Sequence, residues 1–379
     1  MIAVGIKEAY RLAPAPFRLI FGRRRYPAAM PTLKSRNGDW ELDHVHAWSD
    51  REERIRAESV RLIDQSTKVA TIGSCFAQEL AKVMGTVDIS GGMHPGGLFY
   101  STATIRQELE RLAGGWPERA ADPPWRVEDG FVDPFRDYDT RYPDEAALLA
   151  SRAAADAAAD ALFRGARVVV VTLGLIETWR SPTTGNTYRQ IPHPAVFPTL
   201  GAIFHRLTVA EMLDDLERIR TVVRDHVGAE LVITTSPVPL HTTFTPLDVR
   251  VANVESKSRI RAAVSEFVDR HPDVRYFHSY EMVVTAERQS DYFRDDGRHV
   301  HRHAVRYIVS RFLDLFGDPV LKLPNVDTSW ITPISKTAPV PSPEARPRAA
   351  SRPVPVSLPR RAARSLRRRV GALARGVAR

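Results

Sequence analysis

Along the middle of the chain, short apolar runs give way to longer runs of helical spacing, and the change recurs four times. The runs KVATIG (68–73), ARVVVVTLG (166–174), AELVITTSPV (229–238) and VRYFHSY (274–280) are rich in β-branched or aromatic residues and predict strands. FAQELAKVM (76–84), ALLASRAAADAAADALF (147–163), VAEMLDDLERIRTVVRDHV (209–227) and SRIRAAVSEFVDRH (258–271) predict helices. VVVVTL and LVITTS do not alternate, which is the pattern of strands buried on both faces of a parallel sheet with helices as crossovers. The expected fold class is therefore α/β, a doubly wound and mainly parallel sheet, with no internal repeat. Ligands of such sheets bind at the carboxyl ends of the strands, so chemistry is sought in the loops that follow them.

Helical periodicity ends after SRFLDLFGDPVLKLPNV (310–326), which places the end of an α/β domain of residues 40–330. Residues 331–379 include KTAPVPSPEARPRAASRPVPVSLP (336–359), whose composition cannot bury enough apolar surface to offset chain entropy; it reads as a disordered, partly polyproline linker. The formal charge of +9 is located there. Residues 341–379 hold eleven Arg and one acidic residue, Glu344, a net of +10 that leaves −1 for the rest. A nucleic-acid domain carries its basic patch on its own folded surface, so no nucleic-acid partner is expected.

In the final stretch, Leu366, Val370, Leu373 and Val377 share one helical face with arginines elsewhere. Residues 359–379 thus either lie on an anionic membrane or remain a solvated tail. The basic, apolar segment 1–39 gives weaker support to the membrane, because Pro14 and Pro16 interrupt any long helix. One cysteine cannot form an internal disulfide, and no leader pattern opens the chain, so the expected location is cytoplasmic, with a peripheral membrane role through the termini. No run approaches the roughly 18 to 20 apolar residues of a membrane span.

Two loops carry candidate chemistry. IGSCFA puts a tight glycine turn after a strand and the chain's single cysteine, Cys75, at the start of a helix, where unpaired N–H groups and the helix dipole favour a thiolate. The plain alternative is an inert buried cysteine. DYFRDDGRHVHRHAV holds Asp296 and His299 three apart, so that the carboxylate can hold one ring nitrogen while the other faces a nucleophile. The plain alternative there is a helix cap beside an exposed histidine. Asp295 is a second possible orienter at one residue longer spacing, and is expected to cap the turn.

The pentapeptide GSCFA (73–77) resembles the signature of the GSCFA domain family, a branch similar to the SGNH (GDSL-type) hydrolases and acyltransferases. HPGGLFYST (94–102), VTLGLIETWR (171–180), ITTSPVPLHTTF (233–244) and YFRDDGRHVHRHAV (292–305) resemble the further blocks, in order, over roughly residues 40–315. The resemblance implies an SGNH-like, flavodoxin-like three-layer sandwich and an acyl-transfer site. In the wider superfamily the attacking oxygen lies two residues after the motif's glycine. Counting from Gly73 reaches Cys75, while a one-residue slip in the turn would make Ser74 the nucleophile.

An oxyanion hole is implied from the nucleophile's own N–H, a glycine N–H of the second block (Gly96 or Gly97) and an Asn of the third block. That Asn is missing here, since Leu175, Ile176 and Glu177 follow Gly174. Gly174 N–H is the expected substitute, and Glu177 and Trp179 either shape the acceptor site or serve as pocket wall and core packing.

A metal cluster of His299, His301 and His303 is disfavoured, because carboxylates or cysteines at ligand spacing are lacking. GGMHPGG lacks the features of a phosphate loop or dinucleotide fingerprint. No cofactor or metal is expected. The resulting expectation is an O-acyltransferase or esterase with a Cys75-His299-Asp296 triad, acting through an acyl-thioester on cell-envelope polysaccharide or glycoconjugate. The rival reading is a non-catalytic carbohydrate-binding or scaffold protein that keeps the fold.

Overall fold

Six consecutive buried residues, Val168–Leu173, form the middle of the sheet, and their alternation divides the protein into two cores. Val168 and Val170 point into one apolar cluster, and Val169, Val171 and Leu173 into the other. The computed structural model describes residues 33–36, 39–42, 59–116, 121–136, 139–286 and 288–331. The expected Pro/Arg-rich linker, the basic tail and residues 1–32 lie outside these.

Counting only the strands around the site, the central ones are β1 (Val69–Gly73), β2 (Gly91–Met93) and β3 (Val168–Leu173). The satellite strands β4 (Glu177–Arg180), β5 (Thr187–Tyr188) and β6 (Ile203–Arg206) follow, then β7 (Glu230–Thr235) and β8 (Arg275–Phe277). The central sheet runs β8-β7-β3-β1-β2, every neighbour parallel, with Ala70 opposite Val169 and Val232 opposite Val170. Numbered along the chain, these five strands have the order 2-1-3-4-5, the doubly wound arrangement expected from the sequence.

Helices cover both faces. On one lie α1 (Cys75–Gly85), α6 (Ser279–Val284) and α7 (Arg302–Phe316); on the other lie α2 (Thr102–Leu112), α4 (Val209–Thr221) and α5 (Val249–Arg270). The Ala-rich α3 (Glu145–Phe163) anchors to the second core through Phe163. Phe76, Leu80, Val83 and Met84 place one stripe of α1 against Val305, Ile308 and Phe312 of α7. Each such side chain contributes roughly 1.5 to 3 kcal/mol on burial.

Side-chain caps start the helices that matter here. Ser74 caps α1, and Ser101 and Thr208 form capping boxes on α2 and α4. The sequence did not anticipate the antiparallel satellite β6-β4-β5, because strands of two to four residues are too short for a period of two to register. Among the described residues, no helix is long and apolar enough to cross a membrane.

Candidate functional site

The crossovers that leave β1 and β3 pass to opposite faces of the sheet, so a crevice opens between the carboxyl ends of these neighbouring strands. Gly73 is the last residue of β1. Its φ is +137°, and a Cβ there would lie 2.2 Å from Thr172 O, so only glycine allows the approach. The closeness lets Ser74 N–H donate to both Thr172 O at 3.0 Å and Thr172 Oγ1 at 2.8 Å. Ser74 Oγ lies 2.9 Å from Thr172 Oγ1 and accepts from Phe76 N–H at 3.4 Å. Ser74 is 2% exposed. Cys75, the first residue of α1, is only partly buried.

Neighbouring loops are laced to this turn. Phe99 N–H donates to Gly73 O at 2.8 Å, Gly174 N–H to Tyr100 O at 2.8 Å, and Ser236 N–H to Leu173 O at 2.8 Å. The second, third and fourth blocks of the sequence thus meet above three adjacent strand ends.

His299 comes from a loop that closes locally through Gly297, where φ is +64°, with Arg294 N–H donating to His299 O at 2.8 Å. Asp296 Oδ2 lies 2.6 Å from His299 Nδ1, while Asp296 Oδ1 accepts from the N–H groups of Arg298 at 2.9 Å and His299 at 2.8 Å. The hydrogen bond from the His299 ring, with the backbone donors, holds the Asp296 carboxyl well below the usual carboxylate range. With Nδ1 engaged, Nε2 is the nitrogen left to exchange a proton. His301 and His303 do not join it: their rings stack at 4.8 Å, and Trp330 packs on His303 at 4.6 Å.

Two cavities meet at this point, sharing Cys75, Val238 and His299. One, of about 520 Å³, runs along α1 and the start of α7 and is lined by Lys82, Arg294, Arg302 and Arg306. The other, of about 440 Å³, lies over the strand ends and is lined by Tyr100, Leu175, Trp179, Leu240 and Phe244, together with Ser74, Gly174, Glu177 and Arg298.

Several expectations change with the geometry. Gly96 and Gly97 do not reach the cavities: their amides are engaged in the turn of buried His94, Gly96 N–H on His94 Nδ1 at 3.0 Å and Gly97 N–H on His94 O at 3.2 Å. They shape the second block instead of facing an oxyanion. Gly174 lines the second cavity, but its N–H is committed to Tyr100. Glu177 also lines that cavity and clamps its rim, accepting from Thr243 Oγ1 at 2.6 Å and Phe244 N–H at 2.9 Å. Trp179 sits among Phe197, Phe204 and Phe244. The helix-start thiolate is opposed by its surroundings, since burial pushes the Cys75 thiol up by more than Arg298 and Lys257 pull it down.

The residue that sequence reasoning missed is Lys257 on α5. It is 1% exposed, and its Nζ donates to Gly174 O at 2.7 Å and Ser236 O at 2.8 Å, tying the ends of β3 and β7 together. Burial brings its pKa down to about 7, and a Cys75 thiolate would raise it again. The signal was legible: Lys257 stands in the stripe with Ile260, Val264 and Phe267, where an apolar residue belongs. Arg298 was also overlooked; it lines the second cavity with Nε buried and without a hydrogen-bond partner among the described residues.

A family model described as the GSCFA family matches residues 68–312, from the residue before β1 to within α7. The chain belongs to the GSCFA family. The match spans the Cys75 turn, the clamped loops and the Asp296–His299 loop, so the whole crevice is part of what defines this GSCFA protein. No curated protein matches the chain.

Proposed function

We propose that this GSCFA protein is an acyl-transfer enzyme with Cys75 as nucleophile, His299 as general base and acid, and Asp296 as the carboxylate that orients His299. The observation that carries the reading is that Cys75 and His299 line both cavities while Asp296 holds the far ring nitrogen at 2.6 Å. Because burial keeps the thiol protonated, a base is required. His299 Nε2 takes the Sγ proton, and the thiolate attacks an ester carbonyl carbon. The oxyanion meets the Cys75 N–H, which has no intrahelical acceptor at the first helical position, and the Arg298 guanidinium. Lys257 adds a buried positive charge behind Cys75, a role for which the family resemblance would have used the missing Asn. The C–O bond breaks, the alkoxide takes the proton from His299, and an acyl-thioester remains. Water or an acceptor hydroxyl, deprotonated by His299, then attacks the thioester and releases the acid or the new ester.

Ser74 is the weaker candidate, since its hydroxyl is spent on Thr172 and on capping α1. The aromatic wall of Trp179 and Phe244 suits the face of a sugar ring. With the SGNH resemblance, this favours an O-acyltransferase or esterase acting on cell-envelope carbohydrate, held at the inner membrane face by residues 359–379. Turnover of p-nitrophenyl acetate with oligosaccharide acceptors tests the reading: acetylated sugar should form with wild type and not with Cys75→Ala. Sugar binding without turnover would favour the carbohydrate-binding alternative.

A further inference from the structure

The cavity along α1 carries a charge excess that the transfer chemistry itself does not need. Lys82, Arg294, Arg302 and Arg306 line it, and Glu79 is the one acidic residue in its lining among the described residues. Lys82 Nζ lies 2.8 Å from Glu79, and Arg306 Nη2 donates to Pro324 O at 2.7 Å, a neutral partner that leaves its charge uncompensated. The guanidinium groups of Arg294 and Arg302 meet no carboxylate among the described residues. Elsewhere in the body, Arg106, Arg136, Arg152 and Arg261 are each tied to Asp or Glu. Cationic side chains without anions therefore gather where the wall also contains Cys75 and His299.

Guanidinium groups bind planar or tetrahedral oxyanions through several N–H donors at once. About 520 Å³ is room for a small molecule bearing such a group. The aromatic cavity on the other side of Cys75 has a different chemistry, and the two share Cys75, Val238 and His299 in their linings.

We propose that the basic cavity is a binding site for the phosphate or carboxylate of one substrate, whose reactive end reaches Cys75, while the aromatic cavity takes the other substrate. Resting on the acyl-transfer reading, this makes the protein a two-substrate transferase with one anionic partner. The anion contributes binding only; no bond to it is made or broken.

Cys75 is the chain's only cysteine, so alkylation of the full chain reads the site directly. Iodoacetate and iodoacetamide transfer the same carbon with the same leaving group and differ in one carboxylate. The expected result is that Cys75 prefers iodoacetate, the reverse of a free thiol in water. Arg294→Glu with Arg302→Glu should lower the iodoacetate-to-iodoacetamide rate ratio about tenfold, and the gentler Arg294→Gln with Arg302→Gln should move it in the same direction. Inorganic phosphate should slow iodoacetate more than sodium chloride of equal ionic strength; acetate in a parallel arm tells a carboxylate site from a phosphate site.

A ratio unchanged by both variant pairs, or protection by neither phosphate nor acetate beyond that of chloride, overturns the proposal. Alkylation requires no acyl chemistry, so the two readings fail separately. A protein that prefers iodoacetate but never forms an acyl adduct keeps the anion site and loses the enzyme. One that acylates Cys75 without the preference does the opposite.

Discussion

The two halves of the proposed triad are held in opposite ways. Cys75 sits at the end of a fully buried strand, and its position is written into the sheet: Gly73 touches Thr172, Ser74 bonds Thr172, and Phe99 bonds Gly73. His299 sits on an exposed loop whose contacts are almost all its own, the Asp296 cap and the Arg294 backbone bond. The nucleophile is therefore rigid at the cost of coupling to global stability. The base is independent of the core and is placed by a few local bonds, the behaviour expected of a segment with low local stability. Damage to the first half should unfold the protein, and damage to the second should silence it.

Gly73→Ala should have the largest effect, since the new methyl meets a backbone carbonyl in a conformation that alanine avoids. A loss of about 4 kcal/mol in urea unfolding is expected, with disordered access to Cys75. A near-wild-type midpoint would break the claim that the strand end is over-determined. His299→Ala should leave the melting temperature unchanged while the rate of Cys75 acylation falls about 10² to 10⁴-fold. Asp296→Asn should slow it as well, by leaving the ring unoriented; a melting temperature that drops with either change would mean the loop is structural.

Lys257 sharpens the comparison, because it belongs to the rigid half yet bears charge. Burial lowers its pKa to about 7 from the ordinary 10.5, so the folded state releases the proton first. The burial cost is complete below about pH 7 and fades as pH rises toward 10.5. In a Cys75→Ala background, Lys257→Met removes this dependence while losing the bonds to Gly174 and Ser236 at every pH. Relative to that variant, the lysine-bearing protein should gain about 2 to 3 kcal/mol between pH 7 and pH 9. A flat difference would show that Lys257 keeps its charge in the fold. Ser74→Ala should be the mildest, costing about 1 kcal/mol through the lost cap and sparing acylation.

The same division explains what was legible in the sequence. VVVVTL and LVITTS announced buried parallel strands because every position but the closing Ser236 is apolar or β-branched, and Asp296-x-x-His299 announced its pair because both partners lie within one turn. GSCFA marked the elbow. The sequence did not reveal which amides were already spent. Gly96, Gly97 and Gly174 looked like oxyanion donors, yet the first two spend their N–H groups on His94 within their own turn, and Gly174 bonds Tyr100, a contact that depends on how loops from different strands meet. Long-range pairing also hid Lys257, whose partners lie 83 and 21 residues away. Desolvation of Cys75 likewise follows from the packed crevice and not from its place at a helix start. The tail, in which the sequence concentrates the charge, lies outside the described residues.

Intact-mass analysis of the full chain after exposure to an activated acyl ester tests the central claim most directly. Wild type and Ser74→Ala should each gain a single acyl group, mapped to Cys75, whereas Cys75→Ala should gain none and His299→Ala should gain it far more slowly. An adduct that persists in Cys75→Ala and disappears in Ser74→Ala would contradict the assignment of the nucleophile, and no adduct on wild type would contradict the enzyme.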